Sequence, residues 1–291
     1  MRIEKWLKKN TVSLVGKTVA VTGSTGGLGR EICHYLARLG ADLILVDRNR
    51  ERSQAHRAAI LSEYPEREVL CVSADMENME SVRAATEELA RLQPDVLVLN
   101  AGAYSIPRKI CDTGYGNVFQ IHFVSPYYMV RELLPTLRQK RGRVVAVGSI
   151  AHNYSKTDPD DVDFSTRQAA SRVYGNAKRY LMFSLFELFR EETDVSLSVV
   201  HPGITFTNIT AHYPKIVFAI IKHPMKVIFM KPRHAALSIV WGLFESTEYH
   251  TWIGPRLFDV WGLPSKKRLR TVSERESREI FERAEKIYRS L

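Results

Sequence analysis

Between Lys17 and Gly203, short and nearly unbroken apolar runs alternate with longer stretches whose apolar residues recur at helical spacing. The runs are KTVAVTG (17–23), DLILVD (42–47), EVLCVSAD (68–75), DVLVLNAG (95–102), RVVAVGS (143–149) and VSLSVVHPG (195–203). Helical patterns fill the gaps: EICHYLARLG (31–40), a polar stretch ending at Tyr64, and SVRAATEELARL (81–92). Strands apolar on both faces belong in a parallel sheet, and helical crossovers between them cover those faces. The pattern predicts a doubly wound parallel α/β sheet. A basic extension over 1–14 precedes it, and no linker interrupts the single domain of 15–291.

Beyond about residue 205 the pattern changes. ITAHYPKIVFAIIKHPMKVIFMKP (209–232) is apolar but interrupted by prolines and lysines. A helix (HAALSIVWGLFE), a short strand-like WIGP and a closing helix over 273–289 follow. Ser273 and Glu276 have capping-box spacing at the start of that last helix, and Ile280, Phe281, Ala284, Ile287 and Tyr288 share one face of it.

Composition narrows the function classes. The longest apolar run after the N-terminus is IVFAII (216–221), far short of the roughly 20 residues of a membrane-spanning helix. Cys33, Cys71 and Cys111 are scattered, with neither CxxC pairing nor histidines at metal-ligand spacing, so no metal is expected and a reducing, cytoplasmic setting fits. MRIEKWLKKN lacks the apolar stretch of a secretory signal. The net charge of +10 gathers at the two ends and around 215–233, without the spacing of zinc fingers or RNP-type aromatics; nucleic acid is not an expected partner.

The first apolar run ends in TGSTGGLG (22–29). Gly23, Gly27 and Gly29, with Ser24, Thr25 and Leu28 between them, stand where a strand must turn tightly into a helix. Such a turn lets backbone N–H groups and a helix N-terminus meet a pyrophosphate. Asp47 ends the second strand, where a carboxylate would bind the hydroxyls of an adenosine ribose.

The GxxxGxG form of the turn resembles the short-chain dehydrogenase/reductase family, and the resemblance extends over residues 15–262. Asp75, followed by Met76 in SADM, matches the family's aspartate beside the adenine ring. Asn100, Ala101 and Gly102 match its NAG motif. Ser149, Tyr174 and Lys178 match its catalytic trio, and PGITFT, with Pro202, Gly203, Ile204 and Thr207, its nicotinamide-side loop. The resemblance implies a Rossmann-type fold, a nicotinamide cofactor held by these residues, Tyr174 and Lys178 among them, and a dimer or tetramer.

The trio suits hydride transfer, in which a carbonyl oxygen must gain a proton or an alcohol lose one. Ser149 is expected to hold the substrate oxygen, Tyr174 to exchange the proton, and Lys178 to lower the phenol's pKa and hold the ribose. Bringing a tyrosine from near 10 to about 7 takes roughly 4 kcal/mol. An ammonium about 4 to 5 Å away supplies roughly 3–4 kcal/mol at an effective dielectric of about 20. Lys178, one helical turn after Tyr174 in YGNAK, is placed to be that ammonium.

The chain departs from the family at one point. Retinol-dehydrogenase-like members carry an asparagine 22 residues after the asparagine of NAG, where it anchors a proton-relaying water; here that position is His122. It could hold the same water, titrate itself, or pack as a core residue. Cofactor choice turns on Asp47, which favours NAD, against Arg48, which keeps NADP open by offering a guanidinium to a 2′-phosphate.

The 24 residues between Ser149 and Tyr174, and YHTWIGPRLFDVWGLP (249–264), resemble retinol-dehydrogenase-like members. Asp158, Asp160, Asp161 and Asp163 lack EF-hand spacing and read as a solvated turn. A substrate-covering lid of about 206–232 supplies Phe206, Tyr213, Ile216, Val217, Phe218, Ile220 and Ile221, suited to a lipophilic alcohol or ketone of steroid, retinoid or long-chain type. Lys215, Lys222, Lys226 and Lys231 allow a second reading of the same segment, a patch on an anionic membrane surface aided by Ile3, Trp6 and Leu7. The alternative to an enzyme is a dinucleotide-binding sensor that keeps the fold without turnover.

Overall fold

In the computed structural model the described residues are 3–205 and 230–291. An eight-stranded sheet of order β3-β2-β1-β4-β5-β6-β7-β8 forms the centre. Strands β1 (Thr18–Thr22), β2 (Asp42–Asp47), β3 (Val69–Ser73), β4 (Val96–Leu99), β5 (Arg143–Val147), β6 (Ser196–Val200) and β7 (Thr251–Leu257) run parallel, and β8 (Trp261–Arg268) returns antiparallel to β7. The strand order reverses between β1 and β4, and ligands of open α/β sheets bind beyond the strand C-termini at such a reversal.

Every predicted apolar run from 17 to 203 contains one of these strands. β4 shows why: its VLVL is buried throughout, so both of its faces are apolar. Helices α2 (Gly27–Arg38), α3 (Arg50–Glu63) and α4 (Met79–Leu92) connect the first strands. Asn49 and Asn78 cap α3 and α4, each side chain accepting from the backbone N–H three residues on. A turn α5 (Asn117–Phe119), one π-helical stretch (Gln120–Val124) and α6 (Ser125–Gln139) follow, then α7 (Ala170–Leu188), α8 (Pro232–Gly242) and α9 (Glu274–Arg289). The core lies in two layers. One face of the sheet meets α4, α6, α7 and α9 through residues such as Leu89, Leu133, Phe183 and Ile280; the other meets α2 and α8 through Leu36, Leu43, Leu237 and Val240.

Three local expectations change. The basic N-terminal extension contains a helix, α1 (Ile3–Asn10), whose Ile3, Trp6 and Leu7 are buried in the layer shared with α2 and α8. Trp6 meets Trp241 edge-on at 6.3 Å, and Glu4 pairs with Arg38. These three apolar side chains are therefore spent on the core and are not offered to a membrane. β8 was not legible because WGLPSKKR is an edge strand with Pro264 and charged residues, devoid of a buried apolar alternation. Only half of the capping box forms: Ser273 Oγ accepts from Glu276 N at 3.1 Å, while the Glu276 carboxylate turns instead to Arg179. Among the described residues no helix is long and apolar enough to cross a membrane.

Candidate active site

β1 delivers the chain into the glycine turn. Gly23 takes the left-handed φ of +67°, and a Cβ on it would stand 2.8 Å from Ala101 Cα, so the turn and the NAG segment close on each other only through glycine. Asn100 fastens the same junction, its Nδ2 donating to the carbonyls of Thr22 and Gly23 at 3.0 and 3.1 Å. Thr22 Oγ1 in turn accepts from the N–H groups of Asn100 and Ala101, both at 2.9 Å. Gly27 and Gly29 open α2, and its N-cap Gly26 supplies no side chain to the first N–H groups. Those donors and the positive end of the helix are left for an anion, which is the requirement for holding a pyrophosphate.

Asp47 is engaged within the protein. Its carboxylate is buried and accepts from Ser24 Oγ at 2.5 Å, Ser53 Oγ at 3.2 Å, Thr25 N at 3.0 Å and Thr25 Oγ1 at 3.0 Å. Four donors fill the acceptor sites of a carboxylate, so Asp47 locks the glycine turn to β2 and is not a free partner for ribose hydroxyls. Buried His56 completes the cluster, its Nδ1 3.4 Å from Ser24 Oγ. Neither Ser53 nor His56 was singled out in the sequence, since nothing in a helical RERSQAH marks two residues for the loop of another element. Arg48, by contrast, is 67% exposed and stands 3.9 Å from the half-exposed Asp75. Asp75 accepts from Glu77 N at 3.0 Å, and Met76 is buried with its carbonyl accepting from Ser125 Oγ at 2.7 Å.

The catalytic candidates come together. Ser149 follows β5 and N-caps a 3-10 turn (Ile150–Asn153), while Tyr174 and Lys178 lie one turn apart on α7. Burial pushes the Tyr174 phenol up to about 12, with the neighbouring Ser149 side chain pulling it down. Lys178 is lowered to about 7 by burial; its Nζ donates to the Val147 carbonyl at 2.6 Å and lies 6.0 Å from the Tyr174 ring centre. Desolvation disfavours the charged form of both partners, and the amine faces a carbonyl.

Tyr174 is clamped between two aromatic edges, Tyr104 at 5.4 Å and His122 at 4.8 Å. Tyr104, two residues beyond Gly102, carries no motif and was missed. His122 sits in the π-helical stretch, the kind of insertion that often marks functional sites. Its Nε2 lies 2.6 Å from the Ala103 carbonyl and 3.1 Å from the Ala103 N–H, and Nδ1 has no partner among the described residues. A Cβ on Gly102 would be 2.5 Å from His122 Cε1, so the imidazole occupies its place only because residue 102 is glycine. Burial and the nearby Lys178 hold the His122 pKa down at about 3. A small cavity of about 10 Å³ lies among Thr22, Met76, Ala101, His122 and Lys178, about the room one water needs.

Of the nicotinamide-side loop, Gly203 adopts a φ of +81° and the Ile204 carbonyl accepts from Met230 N at 2.9 Å, with Pro202 between them and β6. Thr207 and the proposed lid from Phe206 to Phe229 lie outside the described residues. The aspartates of 158–163 are engaged locally: Asp163 accepts from Gly116 N, Asp161 from Thr166 and Ser165, and Asp158 pairs with Arg167. No metal-binding cluster occurs among the described residues.

A glycine turn into a helix N-terminus at the reversal of a parallel sheet, with Ser149 beyond the end of β5 and Tyr174 and Lys178 on α7, defines a dinucleotide-binding α/β class. The chain belongs to the short chain dehydrogenase family, whose model matches residues 17–215. Retinol dehydrogenase 14 of Homo sapiens is 31% identical over 215 residues, covering 68% of this chain and 64% of that protein. The chloroplastic short-chain dehydrogenase TIC 32 A of Brassica napus is 27% identical over 210 residues, covering 67% and 66%. The matched regions thus span just under two thirds of these relatives' lengths. In fold, the chain is similar to an uncharacterized protein from Mycobacterium Paratuberculosis, at 21% identity, a TM-score of 0.77 and coverage of 97% and 96%. A short-chain dehydrogenase from Sphingobium yanoikuyae in complex with NADPH gives a TM-score of 0.55 at 23% identity, covering 67% and 74%.

Proposed function

We propose that this protein is a nicotinamide-dependent oxidoreductase interconverting a lipophilic alcohol and its carbonyl compound. The observation carrying the reading is the convergence of Ser149, Tyr174 and Lys178 beside the glycine turn. The similarity to a protein named retinol dehydrogenase supports the lipophilic class of substrate. Ser149 orients the carbonyl oxygen through its hydroxyl. Tyr174, its phenol protonated at neutral pH, donates the proton that this oxygen needs as it becomes an alkoxide. Lys178 would hold the nicotinamide ribose in place of the Val147 carbonyl, and Gly23 with the α2 N-terminus the pyrophosphate. The bound dinucleotide supplies the hydride and, when oxidised, a positive charge that favours the phenolate. His122, kept neutral by burial, would hold a water in the small cavity it shares with Lys178.

The dinucleotide we propose is NADP(H). The expectation of NAD rested on a carboxylate free to bind a ribose diol, and the Asp47 carboxylate is already filled by Ser24, Thr25 and Ser53. Arg48, exposed at the end of the same strand, is the charged group available to a 2′-phosphate.

The test is consumption of NADPH by the purified chain with decanal, retinal and a steroid ketone. Tyr174→Phe should lower turnover about a hundredfold or more while binding NADPH as the parent does. Binding without turnover of any carbonyl compound would point to the sensor instead.

A further inference from the structure

The carbonyl of Ser149 accepts two hydrogen bonds from one residue, His152: from its backbone N–H at 3.1 Å and from ring Nδ1 at 2.7 Å. A carbonyl has no proton to give, so Nδ1 carries the hydrogen and Nε2 is left as an acceptor. Nε2 lies 2.9 Å from Thr271 Oγ1, and the Thr271 hydroxyl must donate to it. One tautomer satisfies both ends. The His152 ring is fully buried, edge-on to Trp252 at 5.4 Å, and has no other orientation that keeps both bonds.

Arg179 directly follows Lys178 and is buried to 3% exposure. Its guanidinium donates to the His152 carbonyl at 2.9 Å, to the Thr271 carbonyl at 3.1 Å, and to Glu276 Oε1 at 3.0 and 2.6 Å. One side chain thus grips both members of the histidine–threonine contact and ties them to the first turn of α9. Thr271 and Glu276 lie far beyond residue 215, where the family match ends.

We propose that His152 is a positioning residue for Ser149, and that the C-terminal segment completes the active site by fixing His152 through Thr271 and Arg179. The proposal rests on the oxidoreductase reading for its kinetic consequence. A purely structural cluster would affect stability alone. A positioning cluster changes how accurately the Ser149 hydroxyl meets the substrate oxygen, and small displacements of such a group are costly in turnover.

The experiment has two arms. Ring-nitrogen NMR of the histidine-labelled protein should find His152 as the Nδ1–H tautomer, and Thr271→Val should destroy that single assignment. In NADPH-dependent reduction of decanal, His152→Ala should lower kcat about tenfold or more with the NADPH dissociation constant held within about twofold. His152→Asn, whose amide can occupy the place of Nδ1–H, should recover kcat to within about threefold of the parent. An Nε2–H tautomer, an unchanged kcat in His152→Ala, or an Asn variant as slow as the Ala variant would overturn the proposal. Should His152→Ala fail to fold, Thr271→Val and its restoring partner Thr271→Ser carry the same comparison. A parent protein that binds NADPH but reduces nothing would defeat the oxidoreductase reading, while the tautomer would still decide this one.

Discussion

The His122 imidazole stands edge-on to the Tyr174 ring, centroids 4.8 Å apart and planes at 89°, with its Nδ1 free of partners among the described residues. It both supports the phenol and lines the cavity it shares with Lys178. His122→Ala should lower kcat about tenfold and leave NADPH binding in place. Because burial keeps the ring near pKa 3, the parent's pH–rate profile should lack a histidine inflection between pH 5 and 8. An inflection present in the parent and lost in the variant would contradict a neutral, water-holding His122.

Lys178 is held at about 7 by burial, so its charge is incomplete at neutral pH until an anion or dipole stabilises it. Dinucleotide binding should therefore be accompanied by proton uptake near pH 7.5, measurable by titration calorimetry in buffers of different ionisation enthalpy. Lys178→Met should abolish that uptake and lower turnover about a hundredfold.

Asp47 gathers donors from the glycine turn and from α3. Asp47→Ala leaves Ser24, Thr25 and Ser53 without their acceptor in a buried setting, at a cost of roughly 2–4 kcal/mol. Chemical denaturation should register that loss, and binding of NADH and NADPH should weaken together. Arg48→Ala should weaken NADPH alone, by about tenfold. A switch of preference toward NADPH in an Asp47 variant would show that the carboxylate does face the ribose.

Trp6 is 4% exposed and packed on Trp241. Trp6→Ala should destabilise the protein by about 3 kcal/mol or more, seen as a lower thermal midpoint. An unchanged midpoint would release α1 from the core.

Four of the five buried imidazoles among the described residues are held well below their ordinary pKa, His56 and His152 at about 4 and His122 and His201 at about 3, burial being the leading cause for each. Unfolded histidines bind protons from about pH 6.5 downward, whereas the native rings refuse them. This contribution to stability is complete above pH 6.5 and is lost as pH falls toward 4, by about 1.4 kcal/mol per pH unit for each ring. Urea midpoints measured from pH 7 to pH 4.5 should fall steeply; a flat profile would show that these rings are protonated in the native state.

The order of strands and helices through Gly203 was legible because burial on both faces writes itself as short apolar runs, and because a phosphate-binding turn must spend glycines at fixed places. Ser149, Tyr174 and Lys178 were legible for a similar reason, since the reaction demands those groups one strand end and one helical turn apart. What charge a group carries was not. Spacing put an amine beside the Tyr174 phenol, but burial, which spacing does not show, works against the charged form of both. Asp47 ended the right strand, yet the donors its carboxylate accepts from, Ser24, Thr25 and Ser53, are brought together only by packing. The attachment of α1 to the core, the edge strand β8, and the contact of His152 with Thr271 join residues distant in the chain. Local pattern carries no term for such contacts: the sequence determined which chemistry was present, and tertiary packing decided which groups were free to perform it.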